Sequence, residues 1–137
     1  MARRRRAEAR DATAYLTFAA ELWAACEFCK DSGRGRAAGL NAIHASIAAA
    51  DAVCVLFKGE SSSGEAHGEA AELLAASGAP GAREKAVQLT AILGMKNNIA
   101  HERRAPSRVE AEVLVKRAQR FVEWAVETAR IKTGRPQ

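Results

Sequence analysis

Aromatic residues are scarce in this chain: phenylalanine, tryptophan and tyrosine together make up 5% of 137 residues. Apolar residues of all kinds nevertheless reach 48%, and much of that share is alanine. Alanine is the strongest helix former, and its small side chain lets helix axes approach closely. The composition therefore favours a tight helical bundle over a sandwich or a barrel. No uninterrupted apolar run nears the roughly 20 residues that a bilayer-spanning helix needs, so no membrane contact is expected. Met1-Ala2-Arg3-Arg4-Arg5-Arg6 has the charges of a secretion signal without the apolar stretch that should follow. The expected location is the cytoplasm. Cysteine is sparse as well. Three residues, Cys26, Cys29 and Cys54, are an odd count that builds no disulfide framework.

Metal-ligand patterns are also thin. Cys26-Glu27-Phe28-Cys29 is a CxxC, but the chain holds no second CxxC, no HxxxH and no paired ExxH. A structural zinc site needs further ligands at matching spacing, and di-iron bundles need the paired ExxH. Buried structural thiols are the better reading, and neither a metal nor another cofactor is expected.

Positive charge, by contrast, is in excess. Lysine and arginine number 21 against 16 aspartates and glutamates, a net charge of +5. That balance suits contact with a polyanion. The N-terminal arginine run could touch a phosphate backbone, but arginines ahead of a helix oppose its macrodipole, which favours a solvated tail.

Turn signals divide the sequence into five helical segments with no strand, no repeat and no linker between domains. The first is predicted over residues 7–30, with Ala12, Tyr15, Ala19, Leu22, Cys26 and Cys29 at the three-four spacing of a bundle seam. The second covers 36–58, with Leu40, Ile43, Ile47, Ala50, Cys54 and Phe57 in the same rhythm and Gly59 as its stop. Polar residues 60–64, one serine among them serving as N-cap, lead into a short helix over 65–76. Ser77-Gly78-Ala79-Pro80-Gly81 breaks the chain before a fourth helix over 82–99. That helix carries Leu89, Leu93, Lys96 and Ala100 on one stripe and Ile92, Met95 and Ile99 beside it. Ser107 and Glu110 form a capping box for a last helix reaching 131, with Leu114, Ala118, Phe121 and Ala125 on its seam. Short connections make consecutive helices antiparallel. The expected fold is all-α, a single domain over 1–137: an up-and-down bundle of four long helices and one short one, with 1–7 and 132–137 flexible.

His44 lies one position from the seam residue Ile43, and His67 lies in the short helix. Each reads as a packed or surface histidine ahead of a ligand or base. Met95-Lys96-Asn97-Asn98-Ile99-Ala100-His101 is more informative. In its plain reading, a lysine and a histidine meet the negative end of a helix dipole. In its functional reading, Lys96 and His101, five apart across a helix end, converge on one anion. An imidazole titrating near neutrality beside a fixed cation and an amide is a minimal kit for phosphodiester chemistry. Arg103 and Arg104 add positive charge.

Lys96-Asn97-Asn98-Ile99-Ala100-His101, ending the penultimate long helix ahead of a capped final one, resembles the signature of the HEPN superfamily. That signature is an arginine, usually a polar residue, a few variable positions and a histidine. The alanine-rich stretch Leu40-Asn41-Ala42-Ile43-His44-Ala45-Ser46-Ile47-Ala48-Ala49-Ala50-Asp51-Ala52-Val53 is similar to the second helix of small actinobacterial HEPN-like proteins. Ser61-Ser62-Ser63-Gly64-Glu65-Ala66-His67 shares that similarity, and the resemblance covers roughly residues 36–128. It implies a homodimer in which two copies of the motif face one cleft. It also implies a metal-independent ribonuclease, often paired with a nucleotidyltransferase-type antitoxin or serving in phage defence. By that resemblance His101 is the acid/base, Lys96 the phosphate contact and Asn97 the orienting residue; Arg103 and Arg104 are expected to contact phosphate or RNA through their charge. The sequence departs from the pattern in carrying lysine where the signature has arginine. The alternatives are a non-catalytic module that binds RNA, a nucleotide or a partner protein, and a purely structural helical dimer.

Overall fold

The computed structural model describes residues 4–6, 8–62, 67–96, 99 and 106–134. Among them, helices α1 (Ala9–Asp31), α2 (Gly35–Lys58), α3 (His67–Ala75), α4 (Ala82–Gly94) and α5 (Arg108–Thr133) make an all-α bundle, with two three-residue strands, β1 (Arg4–Arg6) and β2 (Glu60–Ser62).

The helix directions follow from which ends meet. Tyr15, early in α1, donates its hydroxyl to Ser61 Oγ just past the end of α2 (2.9 Å). Cys26, late in α1, shares a small core cluster with Ala38 and Ala42 at the start of α2. The two helices are therefore antiparallel. A Cβ on Gly35 would meet Ala111, and one on Gly39 would meet Leu114, while Lys132 lies over the Phe57 ring. Start meets start and end meets end, so α5 runs parallel to α2. Lys85 at the beginning of α4 lies over the Trp124 ring in the later half of α5, which makes α4 antiparallel to α5. The four longer helices thus alternate in direction, and short α3 packs at the turn between α2 and α4.

Helix α2 sits at the centre. Every residue from Ala48 to Val55 is buried, on all sides of the helix. A single seam does not describe it: its alanines form the contact surface for α1, α4 and α5 at once. This helix also corrects the sequence expectation about apolar runs. By length and composition α2 is apolar enough to cross a bilayer, and 67% of its most apolar stretch is buried inside the bundle, as in a core helix. Arg36, Asn41, His44 and Asp51 break the run to the eye without lowering its average much. The seam of α5 matches expectation: Leu114, Ala118, Phe121 and Ala125 are all buried. So does its cap, in which the Glu110 N–H donates to Ser107 Oγ (3.1 Å) and the Ser107 N–H to Glu110 Oε1 (2.8 Å).

The strands contradict the expectation of none. The arginine run, expected as a solvated tail, pairs antiparallel with the polar stretch after α2, Arg4 opposite Ser62 and Arg6 opposite Glu60. Neither Arg-Arg-Arg nor Glu-Ser-Ser alternates apolar and polar residues, so no periodicity announces them. What holds β2 is a buried carboxylate. Asp51 of α2 accepts from the Ser62 N–H (2.8 Å) and from the Ser62 hydroxyl (3.0 Å). Bonds to a charged acceptor are stronger than neutral ones, and removing one partner strands the other in the interior. Asp51→Ala is therefore expected to lower unfolding free energy by about 1.5–3 kcal/mol in urea titration; a loss under about 0.5 kcal/mol, the size of an ordinary surface change, would contradict this role. The serine expected as N-cap of α3 is not among the strand residues Ser61 and Ser62, and Ser63 lies outside the described residues.

Candidate functional site

The fourth helix stops short of its expected end. It finishes at Gly94, and the Met95 N–H turns back to the Ile92 carbonyl (3.2 Å), a tightened three-residue step. One further turn follows, closed by the Ile99 N–H on the Met95 carbonyl (3.1 Å). Lys96 lies inside that turn and is half-buried.

Two contacts fix where this segment meets α2. A Cβ on Gly39 would lie 3.2 Å from Ile99 Cδ1 and Cγ2 and 3.2 Å from Leu114 Cδ2. Glycine is there because the backbone of α2 comes that close to its neighbours. One turn earlier, Gly35 faces Pro106, with 3.5 Å between the ring's Cγ and a would-be Cβ. Ile99 and Pro106, the residues on either side of 100–105, are thus both seated on the first turns of α2.

His44 lies five residues, about 7.5 Å, along α2 from Gly39 and is turned about 140° from it around the helix axis. Its side chain is exposed, and Asn41 one turn before it is half-buried and donates its Nδ2 to the Ala37 carbonyl (2.9 Å). The His44 imidazole is held below its usual pKa of 6.5, first by partial loss of water around the ring and second by the positive charge of Lys96. The shift favours the neutral ring, in which one nitrogen donates and the other accepts.

Of the site residues expected from sequence, Lys96 is the described one: it is half-buried just past the end of α4, and its positive charge reaches His44. Asn97, His101, Arg103 and Arg104 lie outside the described residues. Sequence reasoning alone reads His44 as structural. The signal available to sequence reasoning is the pair Asn41 and His44, three apart and the polar residues between Arg36 and Ser46 on this helix.

The thiols carry no such geometry. Cys26 and Cys54 are buried and Cys29 half-buried, all three free. Burial leads in raising Cys26 to about 11 and Cys54 to about 12, the latter helped by Asp51 and Glu60. A thiol so reluctant to ionise is a poor nucleophile, in keeping with the structural reading of the CxxC. A groove of about 760 Å³ between the α1–α2 turn and the first turns of α5 holds Lys30, Arg108 and Lys116. Two of these cations face acids of their own, Lys30 with Asp31 (3.9 Å) and Arg108 with Glu112 (3.0 Å). The groove therefore presents less net positive charge than its cations suggest.

No family model, no curated protein and no solved structure matches the chain.

Proposed function

We propose that the chain is an RNA-directed helical protein of the HEPN type, a cytoplasmic homodimer that cuts RNA without a metal. In this reading Lys96 holds the phosphate, His101 exchanges protons with the 2′-hydroxyl or the leaving oxygen, and Asn97 orients them. Arg103 and Arg104 add attraction for the backbone. The subunits pair so that two motifs share one cleft, and a nucleotidyltransferase-type antitoxin or a defence role is the expected setting.

The observation that carries the reading is the position of Lys96. Lys96 is half-buried at a helix end and close enough to the exposed His44 imidazole for its positive charge to lower that ring's pKa. Phosphate groups are bound by such charges in company with neutral hydrogen-bonding groups. The net charge of +5 favours the same class of ligand.

Purified full-length protein in EDTA should degrade single-stranded RNA, and His101→Ala should reduce the rate about 10²- to 10⁴-fold, the usual worth of a general acid/base. Equal cleavage by wild type and variant would remove the catalytic assignment. A second reading is favoured by lysine at the cation position, since an ammonium lacks the two-pronged grip of a guanidinium. In that reading the same site binds RNA or a nucleotide without turnover, seen as affinity that falls steeply with salt while the RNA stays intact. A protein that sediments as a monomer at micromolar concentration would exclude the shared cleft.

A further inference from the structure

We propose that the outer face of α5 is a surface on which a second copy of the chain docks, helix antiparallel to helix about a two-fold axis. The inference does not draw on the RNA reading, and its residues take no part in the Lys96 motif.

The face is laid out at seam spacing. Val113, Lys116, Arg120, Glu123, Glu127 and Ile131 stand three or four residues apart, so they form one stripe along the helix. It lies on the side away from the buried row of Leu114, Ala118, Phe121 and Ala125. All six residues are exposed, Val113 by 40% and Ile131 by 65%. The side chains of Lys116, Arg120 and Glu123 make no hydrogen bond or ion pair among the described residues. Glu127 is paired with Arg130 of its own helix, and a carboxylate can accept from a second cation as well.

The order of these residues points to the occupant. Along the chain they read apolar, basic, basic, acidic, acidic, apolar. Read backwards, the row is its own complement. Two copies laid antiparallel, with the axis crossing between residues 121 and 122, bring Arg120 to the partner's Glu123 and Lys116 to the partner's Glu127. The same register brings Val113 to the partner's Ile131. A two-fold axis makes each contact twice. A parallel arrangement would set Lys116 on the partner's Lys116 and Glu123 on the partner's Glu123, and like charges so opposed exclude it. Charge order of this kind selects the partner and the direction of paired helices. The stripe is narrow, about 27 Å from Val113 to Ile131, and charged through its middle. The contact is therefore weak and salt-sensitive, at the small end of protein interfaces.

This surface is separate from the cleft of the proposed function. Ile99 and Leu114 both lie 3.2 Å from the place a Cβ on Gly39 would take, so the turn that holds Lys96 sits beside the first half of α5. A two-fold axis at residues 121 and 122 leaves the two copies of that turn towards opposite ends of the paired helices. Both contacts together would join four chains.

The test is sedimentation of the full chain at low salt, from micromolar to millimolar concentration. Wild type should associate through this face, and high salt should weaken the association. Arg120→Glu and Glu123→Arg each oppose like charges at both crossings and should lower the association constant about tenfold or more. Both positions are exposed, so the circular dichroism of each variant should match wild type. Mixed in equal amounts, the two variants should associate again, because each then meets the opposite charge. The double variant Arg120→Glu/Glu123→Arg should do so by itself. Wild-type association that neither substitution changes, or a loss that mixing does not repair, would overturn the inference and leave the cleft reading in place. A wild type that stays monomeric at millimolar concentration would overturn both.

Discussion

Phe121→Ala is expected to cost the fold about 3–5 kcal/mol, the range for deleting a fully enclosed aromatic side chain. Phe121 is 0% exposed and heads the fully buried side chains by volume. It occupies the middle of α5, with its ring 5.7 Å from that of Trp124 at a tilt of 47°, and belongs to the main core together with Ile43, Leu89 and Leu114. Half of the twenty buried residues in that core are alanines, whose side chains are too short to swing into the gap. A cavity should therefore persist, and the upper half of the range is the better expectation. For a domain of this size the loss corresponds to a fall of roughly 10–20 °C in Tm. Val87→Ala is the matched control: Val87 is 71% exposed, and its truncation should stay within about 0.5 kcal/mol. Similar Tm values for the two variants would mean that the core is not built around Phe121.

The second large effect is a gain. Lys96→Arg should raise RNA cleavage on the order of 10²-fold, measured as kcat/KM in EDTA. The physical reason is the difference between a point charge and a fork. A guanidinium meets two phosphate oxygens with parallel hydrogen bonds, whereas the ammonium offers a flexible single contact. Removing one well-aimed donor from a transition state typically costs 10²–10³ in rate, and supplying one should recover a comparable factor. Arginine is always charged, so the influence of Lys96 on His44 is retained in the variant. A rate equal to wild type would show that residue 96 does not touch the reacting phosphate. If wild type binds without cutting, the same substitution should still tighten RNA binding, and an unchanged affinity would likewise place residue 96 away from the phosphate.

The origin of these two expectations differs. Phe121 is legible as core from spacing alone, because Leu114, Ala118, Phe121 and Ala125 repeat at three and four along the helix. The Ser107–Glu110 cap is legible for a similar reason, since both partners lie within one turn. The end of α4 is not. Leu89, Ile92, Met95 and Ile99 keep helical spacing straight through Gly94, so the pattern predicts one helix to residue 99, and the tightened step at Met95 interrupts it. Likewise β1 and β2 have no pattern of their own. Their pairing depends on Asp51, eleven residues from Ser62 and one helix away.

The candidate site divides in the same way. Lys96 and His101 stand out in the sequence because they are neighbours with complementary chemistry. His44 does not, because the charge of Lys96 reaches its ring from a different segment of the chain.

What the sequence by itself determined is therefore local: that the chain is helical, where most helices begin and end, and which face of α5 is buried. Those properties arise from interactions spanning three or four residues, and three or four residues can be read from a string. Only the tertiary structure decided that residues 48–55 of α2 are buried on all sides, that the arginine run pairs with β2, and that the charge of Lys96 reaches His44. Each of these depends on contacts between segments tens of residues apart, set by how closely alanine and glycine let the helices approach.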